Sequence, residues 1–260
     1  MKFCVCIKQV PDVTVPLQVR DGQLTQDTER MVLDAYSASA VEESLVLAGK
    51  YGGDVAVISI GPAKAKETIR KALAMGAAKA IHVVMEDANS HDSAAFAEIL
   101  AAYFKNAEFD VIATGKQAQD TDAGLTGSML AEKLGLPYAT NAVGLDVDAD
   151  ARKVIVTRQG DTGQEVVELP MPCLVTCSND MNDPRIPSLK GIMQSKRKPF
   201  DNKTLGDLGI DAATLKGGQA THVTGYQDVP GREPGQKFEG EADELAKNLV
   251  NLLENEAKVL

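Results

Sequence analysis

The sequence predicts an α/β fold in which a mostly parallel sheet is wound with helices and followed by an extended C-terminal arm that ends in a helix. From residue 3 to about residue 135, apolar runs rich in β-branched residues alternate with apolar residues at helical spacing. After Pro137 the β-type runs become short and closely spaced. From Lys196 to about Glu241 the chain is polar and rich in glycine and proline, so it offers no core of its own.

The alternating region defines the first strands and helices. We predict strands over residues 4–10, 54–60, 80–85 and 110–114, and helices over 40–50, 63–75 and 93–105. The helix over 63–75 is the clearest, because Pro62 suits a first helical turn and Gly76 suits a stop. Further strands over 143–147, 153–158, 165–169 and 174–177 are spaced like strands joined by hairpins.

The domain organisation follows from these patterns. Residues 1–195 form the α/β domain, and residues 196–260 form the arm. The last helix, over 241–260, places leucines on one face that must pack against something (Leu245, Leu249, Leu252, Leu253 and Leu260). This arm either binds another chain or is a linker whose helix docks on its own domain.

Composition excludes several functions. Lys and Arg number 27 against 37 Asp and Glu, which gives a net charge of −10 and argues against a nucleic-acid partner. No apolar run is long enough for a membrane span, and no signal peptide is visible, so we expect a cytoplasmic protein. The four cysteines lie in apolar strands, where we expect buried thiols without disulfides.

The loop after the strand over 110–114 is the main candidate site. It runs from Gly115 to Gly127 and leads into a helix that stops at Gly135. Unpaired N–H groups at a helix N-terminus attract anions, so a phosphate would suit this Rossmann-like, nucleotide-binding position. The alternative is an ordinary helix start capped by Thr121 or Asp122. The Gly-x-Gly-x-x-Gly fingerprint is absent, since no two glycines are separated by a single residue.

The sequence offers no catalytic residue. The three histidines are scattered, and His82 reads as a satisfied core residue. Asp120 and Asp122 could pair at a metal, but no histidine lies nearby, so we predict no metal site. A carrier or binding function is therefore favoured over hydrolysis.

A second feature is residues 182–198, which we call the docking segment. Two prolines stiffen its start, Ser188 can cap a short helix, and apolar residues precede a basic cluster. We interpret it as a protein-docking loop with these candidate contacts: Pro184, Arg185, Leu189, Ile192 and Met193. The alternative is a helix packed on its own domain with a solvated basic end.

These blocks together resemble the beta subunits of electron-transfer flavoproteins. The resemblance is carried by 59–77, by Gly115-Lys116-Gln117-Ala118, by the opening Lys8-Gln9-Val10-Pro11-Asp12, by Ala40-Val41-Glu42-Glu43, by the docking segment and by Gly206-Asp207-Leu208-Gly209. They occur in order over most of the chain.

The resemblance implies an electron carrier that pairs with an alpha subunit. The alpha subunit holds most of the redox FAD, and the beta subunit buries a structural AMP. The implied nucleotide contacts are Cys6, Asp34, Ala35, Tyr36, Ser37, Ile60, Gly115, Lys116, Gln117, Ala118, Gln119, Asp120, Thr121, Asp122, Ala123, Gly124, Leu125 and Thr126. The docking segment matches the family's recognition loop, in which a leucine, here Leu189, inserts into acyl-CoA dehydrogenases and related flavin dehydrogenases. The arm matches the segment that wraps the alpha subunit. Electrons would pass on to a quinone reductase or the respiratory chain.

Two departures concern the nucleotide. Asp34-Ala35-Tyr36 stands where the family usually has Asn-Pro-Phe, and a carboxylate beside a phosphate is unfavourable. Gly124 replaces a common asparagine. Relatives that bifurcate electrons bind a second FAD instead of AMP and often share the Lys-Gln-Val-Pro-Asp opening, whereas Thr126-Gly127-Ser128-Met129 resembles the AMP type, so we predict AMP.

Two other classes remain open. A stand-alone nucleotide-binding module of the stress-protein type would share the sheet without needing a second subunit. A nucleotide hydrolase or synthetase would need a phosphate loop and a catalytic group, neither of which the sequence shows.

Overall fold

The chain folds into two compact units. The structure, a computed structural model, describes residues 1–15, 18–25, 30–231 and 234–260. The first unit is Met1–Tyr226 and the second is Gln227–Leu260. The first contains the sheet, and the second contains the terminal helix.

The strands and helices lie as follows. The strands are β1 (Lys2–Ile7), β2 (Gln9–Pro11), β3 (Gln18–Arg20), β4 (Gln23–Thr25), β5 (Met31–Leu33), β6 (Asp54–Gly61), β7 (Lys79–Val84), β8 (Val111–Gly115), β9 (Tyr138–Asp148), β10 (Lys153–Gln159), β11 (Gln164–Pro170), β12 (Cys173–Cys177) and β13 (Phe200–Lys203). The helices are α1 (Ala35–Tyr51), α2 (Lys66–Met75), α3 (Ser93–Phe104), α4 (Thr126–Leu134), α5 (Leu189–Ser195), α6 (Ala212–Gly217) and α7 (Ala242–Asn255).

Within the described residues, the main sheet has nine strands in the order β11-β10-β9-β12-β8-β1-β6-β7-β13. The pairs from β9 to β13 along this order are parallel, whereas β9–β10 and β10–β11 are antiparallel. The predicted helix-wound parallel sheet is therefore confirmed. Strand order reverses beside β1, because β6 lies on one side of it and β8 on the other.

Each face of the sheet has its own hydrophobic core. Alternate residues of β1 point to opposite faces, so Val5 packs with Val41 of α1 and Leu73 of α2 on one face. On the other face, Cys4 packs with a cluster that includes Ile99 of α3 and Leu130 of α4. Burying both faces explains why the strands read as nearly continuous apolar runs.

Two predicted strands pair differently from what the sequence suggested. The strand predicted over 4–10 divides at Lys8: β1 stays in the main sheet, and β2 leaves it to pair with β5. The strand predicted over 174–177 joins no hairpin. Instead β12 inserts between β8 and β9, parallel to both, a long-range pairing that local spacing does not encode.

The stretch after residue 196 contributes more to the first unit than its composition suggested. Phe200 opens β13, which adds to the edge of the sheet beside β7. Its ring lies 6.1 Å from that of His82, and the Nε2 of His82 lies 3.1 Å from the Gly61 carbonyl oxygen. His82 is thus a satisfied core residue, as predicted, and burial lowers its pKa. The first unit continues to Tyr226, beyond the predicted domain boundary at residue 195.

The second unit contains α7. Its leucines recur along one side, as predicted, but within this unit no residue of the helix is buried. Leu249, at the middle of this face, is 55% exposed. The helix begins at Ala242 and ends at Asn255, so it is shorter than the predicted 241–260.

The remaining structural features concern cysteines and the membrane. All four cysteines are free, and Cys4, Cys173 and Cys177 are buried. Burial raises the pKa of each of these three thiols to about 12, so they stay protonated.

None of the helices among the described residues combines the length and apolar character needed to cross a bilayer.

We predict that Gly127→Ala destabilises the protein by about 1–3 kcal/mol. A Cβ on Gly127 would lie 2.7 Å from both Thr114 Oγ1 and Thr176 Cγ2, so α4 would have to move away from β8 and β12. Equilibrium urea unfolding measures the change.

The matched control is Gly49→Ala, also within a helix, where a Cβ meets nothing within 4 Å. This change should stabilise by about 0.5–1 kcal/mol through helix propensity. Equal effects of the two substitutions would contradict the packing argument.

Candidate functional site

A cleft opens at the carboxyl edge of the sheet, where strand order reverses between β1 and β8. Ligands bind at this position in open α/β sheets. The cleft is lined by Cys6, Ile7, Lys8, Asp34, Ser37, Ile58, Ile60, Phe96, Leu100, Thr114, Gly115, Lys116, Gln117, Ala118, Ala123, Gly124, Thr126 and Gly127.

The two sides of the cleft differ in chemistry. One side is apolar, with Ile58 and Ile60 from β6 and Phe96 and Leu100 from one face of α3. The opposite side is the loop from Gly115 to Thr126, rich in backbone polar groups. An apolar wall facing a few polar groups is the usual arrangement of a small-molecule site.

The start of α1 forms one end of the cleft through Asp34. This carboxylate is 1% exposed and caps α1: its Oδ2 accepts hydrogen bonds from the backbone N and the Oγ of Ser37, at 2.8 and 2.9 Å. Its Oδ1 accepts a 3.0 Å hydrogen bond from the backbone N of Gln119. Burial raises the pKa of Asp34, although these hydrogen bonds oppose the rise. The cap also explains why α1 begins five residues before the predicted helix over 40–50.

The loop after β8 is held by its own side chains and by β1. Lys8 Nζ lies 2.7 Å from Asp120 Oδ1, an ion pair joining the end of β1 to the loop. Gln117 Nε2 donates a 2.8 Å hydrogen bond to Asp122 Oδ1. The two aspartates therefore have separate partners, and no group of three or more metal-ligating side chains occurs among the described residues.

In the described part of the chain, no side chain caps the N-terminus of α4. The helix begins after Leu125, and neither Thr121 nor Asp122 bonds its first turn, so the capping interpretation of this loop was wrong. Thr126 and Gly127, in that first turn, line the cleft. The positive end of the helix dipole is thus open to a bound anion.

The glycines of the loop serve packing. A Cβ on Gly115 would lie 2.7 Å from the Cβ of Tyr36, and one on Gly124 would lie 3.2 Å from the Lys116 carbonyl oxygen. Like Gly127, they let chain segments approach closely. The space at these glycines is therefore limited by neighbouring segments of the same chain.

The structure brings together eleven of the predicted nucleotide contacts. Those lining the cleft are Cys6, Asp34, Ser37, Ile60, Gly115, Lys116, Gln117, Ala118, Ala123, Gly124 and Thr126. Those outside its lining are Ala35, Tyr36, Gln119, Asp120, Thr121, Asp122 and Leu125. Several of the latter support the site indirectly: the Ala35 backbone N, for example, donates a 2.9 Å hydrogen bond to Gln119 Oε1.

Sequence reasoning missed part of the lining. Ile7 is the last residue of β1, Lys8 follows it, and Thr114 precedes the loop. Strand position could have indicated these three. Phe96 and Leu100 are four residues apart on α3, but nothing in that helix shows which end of the sheet its face covers.

The docking segment lies elsewhere on the surface and carries exposed apolar side chains. Ser188 caps α5 by accepting a 3.1 Å hydrogen bond from the Gly191 backbone N, as predicted. Leu189 and Met193 are 82% and 72% exposed, and Ile192 is 45% exposed. The helix nevertheless packs on its own domain, because a Cβ on Gly191 would lie 2.5 Å from the Ala74 carbonyl oxygen of α2.

The base of the docking segment is fixed by charged groups. Arg185 forms an ion pair with Glu42 of α1, with Nε 2.7 Å from Oε2. Lys198 Nζ donates to the Leu73 and Ala77 carbonyl oxygens at 2.8 and 2.7 Å, at the end of α2. Burial lowers the pKa of Lys198. The segment therefore combines a helix packed on its own domain with an apolar surface turned outward.

Comparison with known proteins gives the family. Residues 21–208 match the Electron transfer flavoprotein domain. The chain belongs to the electron-transfer flavoprotein beta-subunit family. Among relatives named "Electron transfer flavoprotein subunit beta", that of Bradyrhizobium diazoefficiens is 39% identical and that of Bacillus subtilis is 33% identical, each over 100% of both chains. The "Caffeyl-CoA reductase-Etf complex subunit CarD" of Acetobacterium woodii is 33% identical over 97% of this chain and 98% of its own.

Membership of the electron-transfer flavoprotein family decides between the functional classes left open by the sequence. The chain is an electron-carrier subunit rather than an enzyme. The family match and the full-length relatives argue against both the stand-alone stress-type module and the hydrolase.

We predict that Asp34→Ala destabilises the protein by about 2–4 kcal/mol, because it removes a helix cap and leaves the Gln119 N–H without its acceptor. The control is Asp211→Ala, at the N-cap of α6, where the carboxylate is exposed. It should cost about 0.5–1 kcal/mol. Urea unfolding of both variants measures the difference, and equal losses would show that Asp34 is merely a cap.

Proposed function

We propose that this chain forms a heterodimer with an electron-transfer flavoprotein alpha subunit in the cytoplasm. The heterodimer accepts electrons from flavin dehydrogenases, such as acyl-CoA dehydrogenases, through an FAD held mainly by the alpha subunit, and passes them to a quinone reductase or the respiratory chain. The bound FAD supplies the redox chemistry. The observation that carries this proposal is the exposed apolar tip of the docking segment, Leu189 with Ile192 and Met193, on a base fixed to α1 and α2.

The docking segment suits a carrier that must bind and release its donor. Its contact surface is small and apolar, and a single exposed leucine can fill a pocket on a partner. Pro184 and Arg185 stand at its base rather than its tip, with the Arg185 guanidinium engaged by Glu42. We assign them to holding the segment and the three apolar residues to contact.

The cleft beside β1 is the proposed AMP site. The apolar wall formed by Ile58, Phe96 and Leu100 suits the base, and the uncapped start of α4 suits the phosphate. Lys116 lines the cleft, and among the described residues no carboxylate pairs with its ammonium group. Asp34 turns its oxygens toward Ser37 and Gln119, so the carboxylate is occupied by protein donors rather than directed at a phosphate.

The arm after residue 196 is proposed to reach the alpha subunit through α7. Within its own unit no residue of this helix is buried, and Leu249 is 55% exposed. An amphipathic helix with an uncovered apolar face is typical of a segment that binds a second chain.

The second candidate is an electron-bifurcating subunit that binds a second FAD in place of AMP. The relative named as a subunit of a caffeyl-CoA reductase-Etf complex favours it, as does the opening Lys8-Gln9-Val10-Pro11-Asp12. The two candidates differ in what the cleft holds.

We predict one FAD and one AMP per heterodimer. The measurement is the nucleotide content released by denaturing the co-purified alpha and beta subunits, separated by chromatography and quantified by absorbance. Two FAD without AMP would establish the bifurcating alternative.

We predict that Leu189→Ala raises the apparent KM of the heterodimer, as electron acceptor for a substrate-reduced acyl-CoA dehydrogenase, by at least about tenfold, the effect of removing one hot-spot side chain. The kcat should change less than twofold. Val166→Ala is the control: Val166 is 68% exposed on the edge strand β11, away from the docking segment. An unchanged KM for Leu189→Ala would contradict the assignment of the docking surface.

A further inference from the structure

A buried carboxylate lies in the middle of α1. Glu42 is only 7% exposed, and it is not among the residues that line the cleft. Burying a carboxylate is costly unless it is paired and fully hydrogen-bonded. Glu42 must therefore be paired with donors inside the protein.

Among the described residues, the hydrogen bonds that the Glu42 carboxylate accepts all come from Arg185 in the docking segment. Glu42 Oε2 accepts hydrogen bonds from the Arg185 backbone N at 3.0 Å and from Nε at 2.7 Å, and Oε1 accepts one from Nη2 at 2.8 Å. Burial alone would raise the pKa of Glu42, but the hydrogen bonds and charge of Arg185 outweigh it and the pKa is lowered. The carboxylate thus stays ionised and forms hydrogen bonds with both the side chain and the backbone of Arg185.

Asn182, three residues before Arg185, is also hydrogen-bonded to α1. Asn182 Nδ2 donates to Glu43 Oε2 at 2.9 Å and to the Ser39 carbonyl oxygen at 3.2 Å. Successive positions of α1 therefore hold the start of the docking segment. These contacts fix its backbone as well as its side chains.

The fixed point lies close to the exposed tip. Only Ile186, Pro187 and Ser188 separate Arg185 from Leu189. The proline restricts one φ angle and Ser188 caps α5, so few rotatable bonds remain between the ion pair and the 82%-exposed Leu189. A loop that is ordered before it binds loses less conformational entropy on docking.

We propose that Glu42 is a positioning residue for electron-donor docking: by holding Arg185 through three hydrogen bonds, it preorganises the backbone that presents Leu189. This inference rests on the proposed docking function. Glu42 does not itself contact the donor, and it acts only through the placement of the tip.

The test uses the alpha–beta heterodimer as acceptor for an acyl-CoA dehydrogenase reduced by its substrate. We expect Glu42→Gln to raise the apparent KM roughly five- to twentyfold, the effect of having to order a short loop on binding, with kcat within twofold. Arg185→Lys, which keeps the charge but loses the two-nitrogen contact, should shift KM in the same direction and remains informative if Glu42→Gln does not fold.

The double variant Glu42→Gln/Leu189→Ala separates positioning from general stability. If Glu42 acts through Leu189, the double variant should have the KM of Leu189→Ala within twofold. If the rise in KM of the double variant equals the product of the two single rises, the inference is overturned. A lower melting temperature of Glu42→Gln with an unchanged KM would also overturn it.

The matched control is Asp110→Asn. Asp110 directly precedes β8, at the amino end of that strand. Like Glu42, it accepts a hydrogen bond from a backbone N–H, that of Lys2 at 2.8 Å, and one from a guanidinium nitrogen, Arg152 Nη2 at 2.6 Å. The KM of the Asp110→Asn heterodimer should equal that of the wild type. An equal rise in KM for Asp110→Asn and Glu42→Gln would overturn the inference. A KM raised by Leu189→Ala but not by Glu42→Gln or Arg185→Lys rejects the positioning role alone. A wild-type heterodimer that the dehydrogenase does not reduce rejects the proposed function, and the inference with it.

Discussion

Two buried carboxylates, Asp34 at the N-cap of α1 and Glu42 within it, are the constraint on which both the cleft and the docking segment depend. At the N-terminus of α1, Asp34 caps the helix and holds the loop of the cleft through the Gln119 backbone N. Two turns later, Glu42 holds the docking segment through Arg185. Because α1 also packs on β1 and β8 through Val41 and its neighbours, it links both the cleft and the docking segment to the sheet.

The arrangement separates rigid support from exposed chemistry. Carboxylates that are costly to bury are used where they fix backbone, as at Asp34 and Glu42. Among the residues that the structure describes, the first turn of α4 and the Lys116 ammonium are without a protein partner, and the apolar side chain of Leu189 is exposed. Such a division suits the proposed role, in which the cleft holds a nucleotide and the docking segment contacts a partner.

Local sequence signals predicted the elements well where propensity and caps agree. Pro62 and Gly76 bound the helix that includes α2, Ser188 caps α5, and Gly135 ends α4 as expected. The helix predicted over 40–50 begins five residues after α1 does, because Asp34 caps the helix by accepting a hydrogen bond from the Ser37 backbone N. The strand β13 was missed, since a four-residue polar strand becomes recognisable only beside β7.

By itself, the sequence determined the helix-wound sheet, the loop after β8 and the exposed apolar residues of the docking segment, because periodicity, turn residues and ordered motifs are local properties. Only the tertiary structure decided that Phe96 and Leu100 form a wall of the cleft, that β12 lies between β8 and β9, and that Arg185 pairs with Glu42. Glu42 and Arg185 are 143 residues apart. Contacts at that separation arise from how the strands pair and the helices cover them, which no local pattern records.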